Sequence, residues 1–261
     1  MVHGVVCFAA AAALFVGCSS SGSDGPHASG TGGAAGNVDA GAGGGGGLPT
    51  CGPPPHVLEG GNSVLLLPDG TTTPIGGVRF TPTLCPGAPI VVTPPDGRYQ
   101  YLISKGVPVS VLYEGDGILT QLRGEYAFET DSDTGTPTML KPDFVQILSD
   151  FGPDKSAIFI TVRAYGTAAC AALDGVAFAV TGHPEAKISY YAEGAPPTPI
   201  AGGTATSRLG YAAVEGLLPD STVELTATKS GCNATMARPP RTGRALLMRG
   251  IVSMMSAAVE N

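Results

Sequence analysis

Ala157-Ile158-Phe159-Ile160-Thr161-Val162-Arg163 is the stretch that decides the fold. Seven residues rich in β-branched and aromatic side chains, without Gly or Pro, read as a strand and are too few for a stable helix. The same rhythm continues toward the C-terminus at residues 176–180 (VAFAV), 187–192 (KISYYA), 209–214 (LGYAAV) and 223–227 (VELTA). Toward the N-terminus it holds at 63–67, 78–81, 90–93, 99–103 (YQYLI) and 107–112 (VPVSVL). Pro68-Asp69-Gly70 and Pro95-Asp96-Gly97 punctuate these runs as turn triplets.

One segment departs from the strand pattern. Pro142-Asp143 opens a stretch with Phe144, Ile147, Leu148 and Phe151 at helical spacing, closed by Gly152-Pro153. Pro at the first position, an acid beside it and Gly beyond the end predict one short helix lying on a sheet, with a strand through 144–148 as the alternative. Residues 244–259 read as two strands broken near Gly250 or one long edge strand. Gly250 and the β-branched Ile251-Val252 weigh against a terminal helix.

Composition agrees with an all-β reading. Among 261 residues there are 39 Gly, 23 Pro and no Trp, and the net charge is −7. Nucleic acid and anionic lipid call for clustered Lys and Arg, so this balance excludes a nucleic-acid partner and a polybasic membrane hold.

Residues 5–16 (VVCFAAAAALFV) form an apolar run of signal-peptide length, too short to span a bilayer. It ends in Phe15-Val16-Gly17-Cys18, which resembles the lipobox of bacterial lipoproteins, although Phe15 stands where Leu is usual and Met1-Val2-His3-Gly4 lacks Lys and Arg. The resemblance implies cleavage before Cys18 and lipidation of its thiol. Several acyl chains then hold the protein on a membrane, because each buried CH₂ contributes about 0.8 kcal/mol. Ser19 in the next position resembles the sorting pattern for the outer membrane rather than the inner. Residues 19–48 are nearly all Gly, Ser, Ala, Thr and Asp, too poor in apolar surface to offset chain entropy, and predict a disordered tether.

Cys7 leaves with the signal and Cys18 carries lipid, so Cys51, Cys85, Cys170 and Cys232 remain in an oxidising compartment. Three pairings are open to four cysteines. Cys51–Cys85 with Cys170–Cys232 is favoured, because each bond then closes within one β-unit. Zinc is disfavoured by the absence of a C-x₂-C pair and of ligand spacing at His56 and His183.

The chain is thus divided into a signal peptide (1–17), a lipidated tether (18–50), a first β-sandwich unit (51–130), a connecting segment with a helix and a strand (131–165) and a second β-sandwich unit (166–261). The overall expectation is a tandem antiparallel β-sandwich of transthyretin- or immunoglobulin-like kind. Two segments look alike: Thr93-Pro-Pro-Asp-Gly-Arg-Tyr-Gln-Tyr leading to VPVSVL, and Thr206-Ser-Arg-Leu-Gly-Tyr leading through Leu218-Pro219-Asp220 to VELTA. Each resembles the hairpin of carboxypeptidase-regulatory-like domains. The second copy has Ser221-Thr222 where Gly and Tyr are usual, and the first lacks the Leu-Pro. The resemblance implies a transthyretin-like sandwich without catalysis.

Glu129, Asp131 and Asp133 alternate along one acidic segment. Calcium takes such oxygen ligands, and this is the one candidate cofactor site, although the Gly135 spacing departs from an EF-hand loop and no bidentate Glu follows. A solvated acidic loop is the simpler reading. There is no G-x-S-x-G and no S-x-x-K. Beyond the signal, His27 lies in the tether, while His56 and His183 sit among prolines and glycines as turn residues. Tyr99, Tyr101, Tyr190 and Tyr191 are read as core packing in preference to a carbohydrate-binding row.

Anchor, tether and disulfide-closed β-units predict a non-enzymatic envelope lipoprotein in a structural or adhesive role, facing envelope polysaccharide or a surface protein. A glycan-, peptidoglycan- or calcium-binding module is the alternative. A hydrolase built on His56 or His183 ranks third.

Overall fold

In the computed structural model, which describes residues 47–67, 71–194 and 197–261, the AIFITVR segment is the middle of a nine-residue strand near the centre of the largest sheet. The signal peptide, the Cys18 lipobox, the tether up to residue 46 and the 68–70 turn lie outside the described residues.

Eleven strands precede it: β1 (Thr50–Cys51), β2 (His56–Asn62), β3 (Val64–Leu66), β4 (Thr72–Pro74), β5 (Arg79–Pro82), β6 (Val91–Val92), β7 (Arg98–Ser104), β8 (Val111–Glu114), β9 (Gln121–Arg123), β10 (Ser132–Gly135) and β11 (Thr138–Met139). From it onward run β12 (Ser156–Ala164), β13 (Ala177–Val180), β14 (Lys187–Ala192), β15 (Thr198–Pro199), β16 (Tyr211–Leu217), β17 (Thr222–Thr228), β18 (Asn233–Thr235), β19 (Arg244–Leu246) and β20 (Val252–Glu260).

Two sandwiches are built on one continuous sheet. Its order is β15-β14-β16-β12-β20-β9-β8-β5-β6, with β18 also paired to β20. The β1-β7-β2-β10 sheet covers the β9-to-β6 end, and the β13-β17-β19 sheet covers the β14-to-β20 end. β20 joins them. It runs parallel to β12 from Val252 to Val259, while its other edge takes β9 at Val252–Met254 and β18 at Ala258–Glu260. Most pairings are antiparallel, and the parallel ones join segments far apart in the chain. Residues 131–165, expected to connect the two units, also supply β10, β11 and β12 to the sheets.

β12 is buried on both faces because its two parities meet different layers. Ile158, Ile160 and Val162 enter the second sandwich with Val214, Leu225 and Val259. Ala157 and Phe159 point the other way, under Leu140, Ile147 and Leu148. Each fully buried large aliphatic contributes about 1.5–3 kcal/mol. The cover is the predicted helix. It forms as a 3₁₀ helix, Pro142–Ile147, with Pro at its start and Asp143 in its first turn. It ends at Leu148, short of Gly152, and Phe144 meets Phe159 edge-on at 4.7 Å. A second 3₁₀ turn, Ala168–Ala171, carries Cys170.

The C-terminal stretch takes the two-strand form. Gly250, at φ 67°, makes the break in a left-handed conformation that side chains disfavour. β20 is an interior strand, so the edge-strand alternative does not hold. Cys51–Cys85 and Cys170–Cys232 are bonded, each with Cα atoms 5.7 Å apart. The two look-alike segments are not hairpins. β7 and β8 lie in opposite sheets, as do β16 and β17, so each segment arches across a sandwich. No helix among the described residues is long and apolar enough to cross a membrane.

Candidate functional site

The three carboxylates weighed as calcium ligands are spent separately. Asp131 Oδ1 accepts the Leu58 backbone N–H at 2.8 Å. Asp133, within β10, accepts from Gln100 Nε2 at 3.1 Å and Arg98 Nη2 at 3.4 Å. Glu129 is exposed. Their partners explain this: Asp131 is drawn to β2 and Asp133 to β7. Among the described residues no three His, Cys, Asp or Glu side chains form a metal-holding group.

The histidines stay in turns. His56 Nε2 lies 2.9 Å from the Gly52 carbonyl, and His183 Nδ1 lies 2.9 Å from Glu185 Oε1. That hydrogen bond holds the exposed Glu185 carboxyl below its ordinary range. All four candidate tyrosines are buried. Tyr190 accepts the Phe178 N–H at 2.9 Å, and Tyr191 donates to the Ile147 carbonyl at 3.2 Å. They are core residues and offer no exposed row.

Sequence reading missed the place where charge does converge, inside the first sandwich. Glu59 on β2 and Arg123 on β9 are 2 % and 7 % exposed and form a two-pronged ion pair between the facing sheets. Arg123 Nη1 donates to Glu59 Oε1 and Nη2 donates to Oε2 at 3.0 Å. Tyr101 adds its hydroxyl to Glu59 Oε2 at 2.6 Å. The guanidinium also lies 4.3 Å from the Tyr126 ring centre and 5.6 Å from that of Phe128.

Burial opposes the Arg123 charge, but facing Glu59 outweighs it and raises the guanidinium further above its ordinary value. Burial first, and Glu59 with it, pushes the Tyr99 and Tyr101 hydroxyls up, while burial does the same for Tyr113. Tyr99 Oη, Tyr113 Oη and Arg123 Nε are buried without a hydrogen-bond partner among the described residues. Each such group costs about 1–3 kcal/mol, which offsets what the buried ion pair contributes to stability. Closed to solvent, it offers no reacting group to a substrate.

The second half holds one buried carboxylate of its own. Glu215 on β16 is fully buried and accepts from the Asp150 N–H at 2.6 Å, Ser189 Oγ at 3.0 Å and Ser149 Oγ at 3.2 Å. This ties the 3₁₀ cover to the sheet. A trace of one acid was present in the sequence: Glu215 interrupts the otherwise apolar run Tyr211–Leu217.

No family model matches the sequence, and no curated protein does. Among solved structures, the Bacillus anthracis TIE protein aligns with 78% of this chain at 13% identity and a TM-score of 0.23; the aligned part is 34% of that protein, about a third of its length. The shaft pilin SpaA from Lactobacillus rhamnosus GG aligns over 79% of this chain and 98% of its own, at 10% identity and 0.23. The major pilin T-13 of Streptococcus pyogenes covers 79% and 96%, at 12% identity and 0.20. Superpositions this loose leave the fold to be read from the chain's own strands.

Proposed function

We infer that this chain is a lipid-anchored structural or adhesive element of the bacterial cell envelope, without catalytic activity. The observation that carries the reading is the shared sheet. One strand, β20, belongs to both sandwiches, and a disulfide closes each half, so the two halves form one body rather than beads on a linker. Such a body resists separation of its halves, which suits a spacer or platform outside the cytoplasm. The lipobox-like Phe15-Val16-Gly17-Cys18 and the Gly-rich residues after it supply the anchor and tether in this reading, with the outer membrane as the destination.

The test is fractionation. The native chain should partition with membranes and label with a palmitate analogue, whereas Cys18→Ser should appear in the soluble fraction without label. Persistent membrane association of Cys18→Ser would remove the lipoprotein reading. Cells lacking the protein should lose surface attachment or envelope integrity while the turnover of secreted-hydrolase substrates is unchanged.

A further inference from the structure

We propose that the surface around Tyr165 binds an acidic polysaccharide, one uronate-type sugar setting its carboxylate against a group of three arginines beside the exposed tyrosine ring. This rests on the adhesive reading above and names its partner.

The chain carries 14 Lys and Arg against 21 Asp and Glu. Three of those cations, Arg163, Arg238 and Arg241, nonetheless face a single phenol at the end of β12. The Arg238 guanidinium stands 3.9 Å over the Tyr165 ring centre. Arg241 faces the Tyr165 hydroxyl and donates through Nη1 to the Ser256 carbonyl at 3.4 Å. Partial burial pushes the Tyr165 hydroxyl up, but Arg241, Arg163 and Arg238 outweigh it, and the net direction is down. One carboxylate bonds to this group: Glu260 accepts from Arg238 Nε at 2.6 Å. The surface therefore holds an excess of positive charge on an acidic protein.

It is also held in place. Tyr165 donates its backbone N–H to the Val259 carbonyl at 2.8 Å, and Arg241 pairs by backbone with Tyr126. Groups fixed by strand pairing lose little freedom on binding. Tyr165 remains 46% exposed, a large aromatic ring left at the surface beside these cations. A sugar ring packs its C–H face on such a ring, and a planar carboxylate matches the guanidinium fork. One aromatic and three arginines fit a single acidic sugar. A run of phosphates needs a longer basic track than these three arginines supply.

The experiment uses the full chain purified in detergent and applied to immobilised polygalacturonate, neutral dextran and single-stranded DNA. Retention on polygalacturonate that fades with added salt, with none on dextran, is expected. Arg163→Gln and Tyr165→Ala should each weaken binding by about tenfold, equivalent to about 1.4 kcal/mol. Both side chains are exposed, so the thermal midpoint should stay fixed. Arg249→Gln, at the opposite end of β20, controls for loss of charge and should bind as the native chain does. No retention on polygalacturonate, equal retention on DNA, or equal loss in all three variants overturns the proposal. None of these outcomes touches the Cys18 fractionation, so the anchor reading fails or survives separately.

Discussion

The two sandwiches use the same sheet and close on it by different means. The first has an aromatic core, with Phe80, Tyr99, Tyr101, Tyr113 and Phe128 packed around a buried acid–arginine pair. The second is filled by Ile158, Ile160, Val176, Val223, Leu225 and Leu247, with alanines between them. Each half buries one carboxylate. Glu59 is answered by a cation and a phenol, whereas Glu215 is answered by three neutral or backbone donors. The difference teaches that a buried charge can orient either two sheets or a loop, depending on where its partners come from.

The comparison breaks most sharply at Arg123. Arg123→Met leaves Glu59 buried without its cation and should cost about 3–5 kcal/mol in urea unfolding. Glu59→Leu combined with Arg123→Met should recover most of that loss, while the double variant loses its single set of well-dispersed NMR signals if the pair fixes sheet facing. Full destabilisation in the double variant would show that the pair contributes stability outright.

Each half is also held by a disulfide. Replacing both Cys170 and Cys232 by Ser should cost about 2–4 kcal/mol, read from the shift in the urea midpoint. Alkali should act on both halves, since burial also raises the Tyr190, Tyr191 and Tyr211 hydroxyls of the second. Tyr99, Tyr101 and Tyr113 have hydroxyls raised by burial, so the folded chain keeps protons that the unfolded chain releases above pH 10. Stability present below pH 10 is then lost as pH rises, by up to about 1.4 kcal/mol per phenol per pH unit. Unfolding series from pH 8 to 11.5, with Tyr113→Phe as reference, would show a shallower slope in the variant. The smallest effect belongs to Glu215→Gln, which keeps an acceptor for its neutral donors and should cost about 1 kcal/mol. A loss as large as that of Arg123→Met would erase the distinction between the two carboxylates.

Local signals carried much of this architecture. The composition of AIFITVR, Pro142 with its helical spacing, the break at Gly250 and the four-cysteine arithmetic all act within a few residues or one loop, and each matches what forms. Partner choice was not legible. Alternation along YQYLI and VPVSVL says which side chains turn inward, but the same alternation serves a hairpin or an arch between sheets. Glu59 meets Arg123 across 64 residues. Asp131 and Asp133 form an acidic cluster when read along the chain. The parallel register of β10 on β2 instead sends Asp131 to Leu58, while Asp133 turns to Gln100 on β7.

The place of β20 has a consequence for the order of events during synthesis. β9 and β12 both wait for a strand that follows every other strand of the two sandwiches in the chain. A nascent polypeptide emerging from its N-terminus keeps both strands unsealed until residues 252–260 are made. Contacts of such sequence separation are slow to form. Under the proposed envelope role, threading through a narrow export channel precedes final assembly, and the long-range seam sets the moment at which the chain can no longer be drawn through.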